Sequence, residues 1–182
     1  MKLYKFERGF TLIEIMVVIS IIAVLSSVLF VSFSDARSSA RDAVRQADLK
    51  QLQLAIELYR AQNGRYPDPG CGSSGWNGPG PGNLYAACTE YIAGLVPDFI
   101  SELPVDPHQD RAVDSGFLYY VSPARTSYKV LVWRTVEVDR PQNYNHPFAR
   151  CPSPASPVTA WCGALSPQTN TYAVYSRGEE WR

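Results

Sequence analysis

The feature that most constrains this chain is an uninterrupted stretch, residues 10–63, that contains neither glycine nor proline. Those two residues are the strongest helix breakers, so their absence predicts one long helix that continues up to Gly64. Within this stretch, residues 15–33 carry no polar group other than serine hydroxyls. About twenty apolar residues are enough to cross the hydrocarbon core of a bilayer, so we predict that residues 10–33 span a membrane.

Glu14 places a carboxylate at the start of this apolar run. A charged group costs roughly 2.5 to 3.5 kcal/mol at the centre of a membrane and less near a helix end, so such a residue usually has a function and a partner. We therefore expect Glu14 to be functional. The alternative is a plain signal anchor, in which Glu14 interacts only with its own helix N-terminus, where negative charge is favoured.

The residues before the helix are basic, with Lys2, Lys5 and Arg8 against a single acid, Glu7. Positive charge on this flank predicts that the N-terminus stays in the cytoplasm and that the chain crosses outward. The small residue at the charged-to-apolar junction is Gly9, which precedes the apolar run, whereas a secretory signal is cut after it. Cleavage at Gly9 would leave the helix attached.

Residues 9–14, Gly-Phe-Thr-Leu-Ile-Glu after a short basic leader, resemble the class III signal of type IV pilin precursors and type II secretion pseudopilins. The resemblance implies that a membrane aspartyl peptidase cuts after Gly9 and N-methylates Phe10. It also implies that Glu14 pairs with the Phe10 amine of a neighbouring subunit in a filament. The helix residues expected to pack in that filament are Ile15, Val18, Ile22 and Leu25.

The second half of the helix, residues 34–63, is apolar on two sides. One stripe contains Leu49, Leu52, Ala55, Ile56 and Tyr59, and the other contains Ala47, Leu54, Leu58 and Ala61. We expect the first stripe to cover the sheet of the same chain and the second to meet neighbouring helices. The alternative is that loops of the same domain cover both stripes.

Three arginines recur every four residues near the middle of the predicted helix: Arg37, Arg41 and Arg45. Asp42 and Asp48 lie within helical reach and offset their mutual repulsion. We predict that these charges form a solvated face.

Residues 64–182 are predicted to form a globular head of the α+β class. Segments 117–122, 128–138 and 171–176 are rich in tyrosine and valine and predict about three antiparallel strands, packed on the second half of the long helix. A short helix is expected around residues 90–95. This order of elements resembles pilins and major pseudopilins.

Four cysteines lie beyond the helix: Cys71, Cys88, Cys151 and Cys162. The predicted topology places them outside the cytoplasm, where disulfides form. Pairing of neighbours, Cys71 with Cys88 and Cys151 with Cys162, is one of three possible connectivities, and the sequence does not decide among them.

The chain offers ligands for two kinds of metal site. A zinc site would combine cysteines with His108 or His146, but neither Cys-x2-Cys nor His-x3-His spacing occurs. Asp106, Asp110 and Asp114 recur every four residues and offer oxygen ligands for calcium, although their spacing is not that of an EF-hand. We expect no cofactor and favour a solvated acidic loop, with calcium as the alternative.

Catalytic motifs are missing from the sequence: it contains no Gly-x-Ser-x-Gly elbow, phosphate loop or His-Glu-x-x-His pattern. We therefore predict that the chain is not an enzyme, and a membrane-anchored hydrolase is the catalytic alternative. With 17 basic and 17 acidic residues the formal net charge is zero, which gives no argument for a nucleic-acid partner.

Taken together, these features predict a structural subunit of a type IV pilus or pilus-like filament, with residues 1–9 as a leader. The precursor is expected in the cytoplasmic membrane as a single-pass protein with its head outside, and the product in a pilus, at the cell surface or in the periplasm. The resemblance implies a prepilin peptidase, an assembly ATPase, a platform protein and other pilin copies as partners. The alternatives are a pseudopilin of a type II secretion system and a monomeric membrane-anchored binding module.

Overall fold

The computed structural model describes residues 9–71, 75–79, 85–87, 89–109, 115–141, 145–151 and 170–176. Its elements are α1 (Leu12–Asn63), β1 (Trp76–Gly78), β2 (Tyr85–Ala87), β3 (Gly116–Val121), β4 (Tyr128–Trp133) and β5 (Tyr172–Tyr175). The chain divides into two compact units, Met1–Ser38 and Ser39–Arg182, each of which is described by itself.

The predicted long helix is confirmed, because α1 is continuous over Leu12–Asn63. It ends at Gly64, which adopts a left-handed φ of 74° and donates its N–H to the carbonyl of Arg60 at 2.8 Å. Glycine favours this conformation because it has no Cβ, and the bond satisfies one of the carbonyls left open at a helix end.

The predicted membrane span, residues 10–33, finds no support in the structure. Within the described part of the chain, no helix combines the length and the apolar character needed to cross a bilayer. Residues 27–32 of the predicted span are helical, but their side chains lie outside the described set.

The head contains one five-stranded sheet in the order β2-β1-β3-β4-β5. The predicted hairpin is confirmed as β3 and β4, with Phe117 opposite Val132, and β5 pairs antiparallel with β4. The predicted number of strands was too low, since β1 adds an antiparallel neighbour to β3 and β2 pairs with β1 in parallel. Both added strands have three residues, which is too short to show an alternating pattern.

The core of the head lies between one face of α1 and the sheet. The first predicted stripe is confirmed, because Leu49, Leu52 and Ile56 are fully buried in one cluster with Tyr119 and Tyr128. The Tyr119 hydroxyl donates to the carbonyl of Pro67 at 2.8 Å, so this buried polar group is satisfied. Every residue of β3 is buried, which explains why neither of its faces is polar in sequence.

The short helix expected around residues 90–95 is absent, and a turn at residues 93–94 lies in that segment. Gly94 has a left-handed φ of 73°, and Pro97 follows closely. Neither feature suits a helix interior, since a left-handed residue breaks the helical path and proline lacks the N–H donor. Ile92 instead forms an isolated antiparallel bridge with Pro69.

Candidate functional site

The predicted processing residues lie just before α1. Phe10 is 85% exposed, and Gly9 is exposed as well. Gly9 does not have a positive φ, and a Cβ built on it would meet no atom within 4 Å. Within the described residues, which begin at Gly9, the structure therefore shows no requirement for glycine at position 9.

Glu14 forms a capping box with Thr11 at the start of α1. One oxygen, Oε2, accepts hydrogen bonds from the Thr11 backbone N–H and the Thr11 hydroxyl, both at 2.7 Å. The Glu14 N–H in turn donates to Thr11 Oγ1 at 3.3 Å. Such reciprocal bonds satisfy donors that a helix N-terminus leaves open. This is the contact that the signal-anchor alternative requires.

The second Glu14 oxygen, Oε1, accepts no hydrogen bond within the described part of the chain. An ionised carboxylate offers about four acceptor sites, so it has room for a further donor. Glu14 therefore caps its own helix and still presents one open oxygen.

The predicted helix-packing residues share one exposed face of α1. Ile15, Val18, Ile22 and Leu25 recur at spacings of three and four and are between 50% and 60% exposed. A groove of about 410 Å³ begins at Phe10 and is lined by apolar side chains and Glu14. A continuous apolar surface of this kind is unfavourable in water and marks a surface that a partner or a lipid covers.

A buried cation joins α1 to two loops within the unit Ser39–Arg182. Arg45 is only 1% exposed and forms two parallel bonds to Asp106, from Nε to Oδ2 at 2.8 Å and from Nη2 to Oδ1 at 3.0 Å. Its Nη1 reaches Asp42 at 2.7 Å and Glu137 at 2.9 Å. Three carboxylates thus compensate one buried guanidinium, as a buried charge requires.

This cluster corrects the prediction that Arg37, Arg41 and Arg45 form a solvated face. Arg37 is exposed and Arg41 is partly exposed, but Arg45 is buried. The sequence contained a usable signal, because Arg45 lies four residues before Leu49 and so continues the buried stripe of α1. Asp106 and Glu137 lie far from Arg45 in sequence, and no sequence pattern marked them as its partners.

Asp42 and Arg41 complete the cluster. The Asp42 carboxylate accepts the backbone N–H groups of Glu137, Val138 and Asp139 at 2.7 to 3.1 Å. Arg41 donates twice to Glu137, at 2.8 and 2.5 Å. The loop after β4 is therefore bonded to an acidic residue of α1, Asp42, and to a basic residue of α1, Arg41.

The cluster lowers the pKa values of Glu137 and Asp106. Hydrogen bonds from Arg41, followed by those from Arg45, outweigh partial burial and lower the pKa of Glu137 to about 2. Burial alone would raise the pKa of Asp106, but hydrogen bonds from Arg45, Thr135 and the His108 backbone outweigh it, so that pKa is lowered. Both acids stay ionised in the folded head at neutral pH.

The calcium and zinc alternatives stay predictions. The Asp106 oxygens are used by Arg45, by the Thr135 hydroxyl at 2.6 Å and by the His108 N–H at 2.8 Å. Asp110 and Asp114 lie outside the described residues. In the part of the chain that is described, no group of three His, Cys, Asp or Glu side chains is arranged to hold a metal.

The described cysteines, Cys71 and Cys151, are both disulfide-bonded. Cys88 and Cys162 lie outside the described residues, so the predicted pairing stays a prediction.

His146 stacks on Tyr172 at a centroid distance of 6.0 Å.

The second apolar stripe of α1 is exposed. Leu54 is 62% exposed and Leu58 is 46% exposed, and Ala47 and Ala61 are exposed as well. The alternative in which loops of the same domain cover both stripes is therefore wrong. This stripe is available to a partner.

Comparison with known proteins supports the resemblance found in the sequence. The family described as "Prokaryotic N-terminal methylation motif" matches residues 4–30, which include Gly9, Phe10 and Glu14. No solved structure matches the chain.

Two kinds of relative are similar to part of the chain. It is 39% identical over 61 residues to the "Type II secretion system core protein G" of Pectobacterium carotovorum subsp. carotovorum, covering 34% of this chain and 39% of the relative. The protein of the same name from Klebsiella pneumoniae is 41% identical over 61 residues, with 34% and 44% covered. The "Type IV wide pilus major component PilA4" of Thermus thermophilus is 42% identical over 59 residues, with 32% and 45% covered.

The similarity thus spans less than half the length of these relatives. The chain carries a prepilin-type methylation motif and is homologous over that part to a type II secretion pseudopilin and a type IV pilin.

Proposed function

We propose that this chain is a non-enzymatic structural subunit of a type IV pilus or pilus-like filament, cut after Gly9 and polymerised through the start of α1. The observation that carries the proposal is the exposed apolar face of residues 10–25, which lies within the stretch that the methylation-motif family matches. A polymer buries such a face against copies of itself, and side-chain packing between helices then replaces contact with lipid.

Gly9 supports the processing step. A Cβ on Gly9 would meet no atom within 4 Å, and its φ is not positive, so the described part of the chain gives no reason for a glycine there. A peptidase that must bring the scissile bond close to its own catalytic groups does favour a residue without a side chain. Cleavage would create a new amine on Phe10.

Glu14 supports the assembly step. In the proposed contact, Glu14 Oε1 accepts a hydrogen bond from the Phe10 amine of a neighbouring subunit. Its other oxygen, Oε2, still caps the helix. A carboxylate leaving water or lipid for a protein interior needs an opposite charge and hydrogen bonds to offset desolvation. The pairing would make Glu14 fully satisfied only in the polymer.

The precursor is proposed to reside in the cytoplasmic membrane through residues 10–33, with the head outside the cytoplasm. Its partners would then be a prepilin peptidase, an assembly ATPase, a platform protein and further pilin copies. A pseudopilus of a type II secretion system is the second candidate, because relatives named as its core protein G match the same chain. Both candidates share cleavage, methylation and polymerisation.

The processing test expresses the full chain together with a prepilin peptidase and measures the intact mass of the product. We expect a chain that starts at a methylated Phe10. Gly9→Leu should accumulate the uncut precursor, whereas Gly75→Leu, placed at another glycine with open space around it, should be cut normally. A wild-type product that retains Met1 would instead support the monomeric anchored module.

The assembly test compares Glu14→Ala with Ser20→Ala in cells that produce filaments. Ser20 is a nearby polar residue whose hydroxyl bonds to its own helix, at the Val17 carbonyl, so it serves as the matched control. Glu14→Ala should be inserted and cut but absent from sheared filaments, while Ser20→Ala assembles. Filament yield from Glu14→Ala equal to that of wild type would refute the pairing.

A further inference from the structure

Residues 145–151, which we call the strap, lie along the outer edge of β5. In the described part of the chain β5 ends the sheet, because the strand order is β2-β1-β3-β4-β5. The Ala173 N–H donates to the carbonyl of Phe148 at 3.0 Å, so the strap bonds to β5 on the side away from β4. Phe148 is buried, and its ring packs on Tyr172 at a centroid distance of 5.5 Å. The strap therefore covers the edge of an end strand, where open backbone groups can pair with another chain.

His146 holds the strap in one particular protonation state. Its Nδ1 accepts the backbone N–H of Phe148 at 3.2 Å. A ring nitrogen accepts a hydrogen bond only when it carries no proton, so the single proton of this neutral imidazole is on Nε2. Nε2 lies 3.5 Å from Oδ1 of Asp139. In this arrangement both ring nitrogens face groups of the same chain, which leaves neither available to a metal.

The groups around His146 come from three other elements. Asp139 belongs to the loop after β4 and places its carboxylate beside Nε2. Tyr172 of β5 stacks on the imidazole with an interplanar angle of 5°, and its hydroxyl donates to the Asp139 carbonyl at 2.7 Å. Burial raises the pKa of Tyr172, so that hydroxyl stays protonated at neutral pH. From α1, the Lys50 ammonium lies over the ring of Phe148, 5.4 Å from its centroid.

Protonation of His146 removes one contact and strengthens another. Histidine is the residue type whose charge ordinarily changes between about pH 5 and pH 8. The added proton binds at Nδ1, which is the atom that accepts the Phe148 N–H. An imidazolium has two donors and no acceptor, so this hydrogen bond is lost. The Asp139 carboxylate beside Nε2 stabilises the cation, so the ring keeps its place while the strap loses a bond.

We propose that His146 is a proton-sensitive latch, which fastens the strap to the edge of β5 when neutral and loosens it when protonated. A loosened strap exposes backbone groups of β5 to pairing with another strand. The latch is separate from the Arg45 cluster, because hydrogen bonds from Arg41 lower the pKa of Glu137 to about 2 and place its titration at more acidic pH. The inference does not rest on the proposed filament function, since its residues lie in the unit Ser39–Arg182 and outside the methylation motif.

Nuclear magnetic resonance of the full chain in detergent tests the latch as the pH is lowered from about 8 to about 5. The imidazole nitrogen shifts of His146 should show a proton on Nε2 alone at the upper limit and on both nitrogens at the lower limit. Protection of the Phe148 amide against hydrogen exchange, corrected for the intrinsic rate, should fall roughly 2- to 10-fold, the effect of losing one hydrogen bond. The amide of Val130, in the interior of the sheet, should keep its protection. Constant protection of Phe148 while His146 gains its proton would overturn the proposal, and so would a His146 that stays neutral throughout.

His146→Asn supplies the matched variant. The side-chain oxygen of asparagine is as many bonds from Cα as Nδ1 of histidine, so it can accept the Phe148 N–H, and it does not titrate. Protection of the Phe148 amide in this variant should be independent of pH. His108→Asn, at an exposed histidine outside the strap, should keep the wild-type fall in protection. The same fall in His146→Asn would show that another group loosens the strap, and should that variant not fold, the wild-type titration decides by itself.

Discussion

The two units of the chain differ in how much of the apolar surface of α1 is buried. In Ser39–Arg182, the inner face of α1 is buried against the sheet, with Leu49, Leu52 and Ile56 inaccessible to solvent. In Met1–Ser38, the described apolar side chains of α1, among them Ile15 and Ile22, are half exposed or more. The first surface is completed by the chain's own head and gives stability. The second is left for another molecule and so indicates function.

Their charged groups differ in the same way. Arg45 is buried with three carboxylates around it, and its compensation is complete within one chain. Glu14 is exposed and uses one oxygen for capping, with the other open. A residue of the first kind should affect folding when removed, and a residue of the second kind should affect assembly. The following predictions test that division.

The largest effect on stability is expected for Arg45→Ala. Removing the cation leaves Asp42 and Asp106 buried without a counter-charge, which typically costs about 3 to 5 kcal/mol. Thermal unfolding of the full chain in detergent, followed by circular dichroism, should show a large drop in Tm. The control is Arg37→Ala, the same change on an exposed arginine of α1. Equal Tm values for the two variants would contradict the structural role of Arg45.

A smaller contrast is expected between two leucines that lie two residues apart on α1. Leu52 is fully buried, so Leu52→Ala should lower the free energy of unfolding by about 2 to 5 kcal/mol. Leu54 belongs to the exposed second stripe of α1, so Leu54→Ala should stay within about 0.5 kcal/mol of wild type. Chemical denaturation of the unassembled full chain in detergent measures both. A similar loss for both would show that the second stripe of α1 is covered within the chain.

Acid should lower the free energy of unfolding of the head, because Glu137 becomes protonated. Its folded pKa of about 2 lies below the ordinary value of 4.5, so the unfolded chain binds more protons between these limits. Stability therefore rises with pH in that window and is lost as pH falls from about 4.5 toward 2. The lowered pKa of Asp106 acts in the same direction.

The measurement is the free energy of unfolding at a series of pH values, for wild type and Glu137→Gln. The variant should show a shallower slope below pH 4.5, because this carboxylate no longer titrates. Glu90→Gln, at an exposed glutamate, is the matched control and should keep the wild-type slope. Identical slopes for all three chains would show that Glu137 is not coupled to folding.

The sequence predicted what depends on local pattern. Lack of glycine and proline up to Gly64 predicted the helix, and the period of Leu49, Leu52 and Ile56 predicted its buried face. Tyrosine- and valine-rich segments predicted β3, β4 and β5. The motif around Gly9 is equally local, because it occupies six consecutive residues, and the cleavage expected there stays a prediction.

The sequence did not predict the contacts that join residues far apart in the chain. Arg45 meets Asp106 and Glu137 across 61 and 92 residues, and no local pattern marks such a pair. The strands β1 and β2 were missed because each is defined by its neighbour in the sheet more than by its own composition. The helix predicted around Gly94 was wrong, although the sequence held the signal, because Gly94 adopts a left-handed φ and Pro97 follows closely.

The smallest effect on the single subunit, and the most informative for assembly, is expected for Thr11→Ala. Loss of an N-cap residue costs about 1 kcal/mol and acts locally, so hydrogen exchange should quicken in the first turn of α1 while unfolding of the head is unchanged. Glu14 keeps its charge in this variant.

Filament yield of Thr11→Ala then separates the two roles of Glu14. If Glu14 acts on the amine of a neighbouring subunit, the variant keeps that carboxylate and should assemble nearly as well as wild type, in contrast to Glu14→Ala. Should Glu14 act only as a cap, both substitutions break the hydrogen bond between the Thr11 hydroxyl and Glu14 Oε2, and both should impair assembly. Equal losses would therefore favour the signal anchor, since the open oxygen of Glu14 would have no use between subunits.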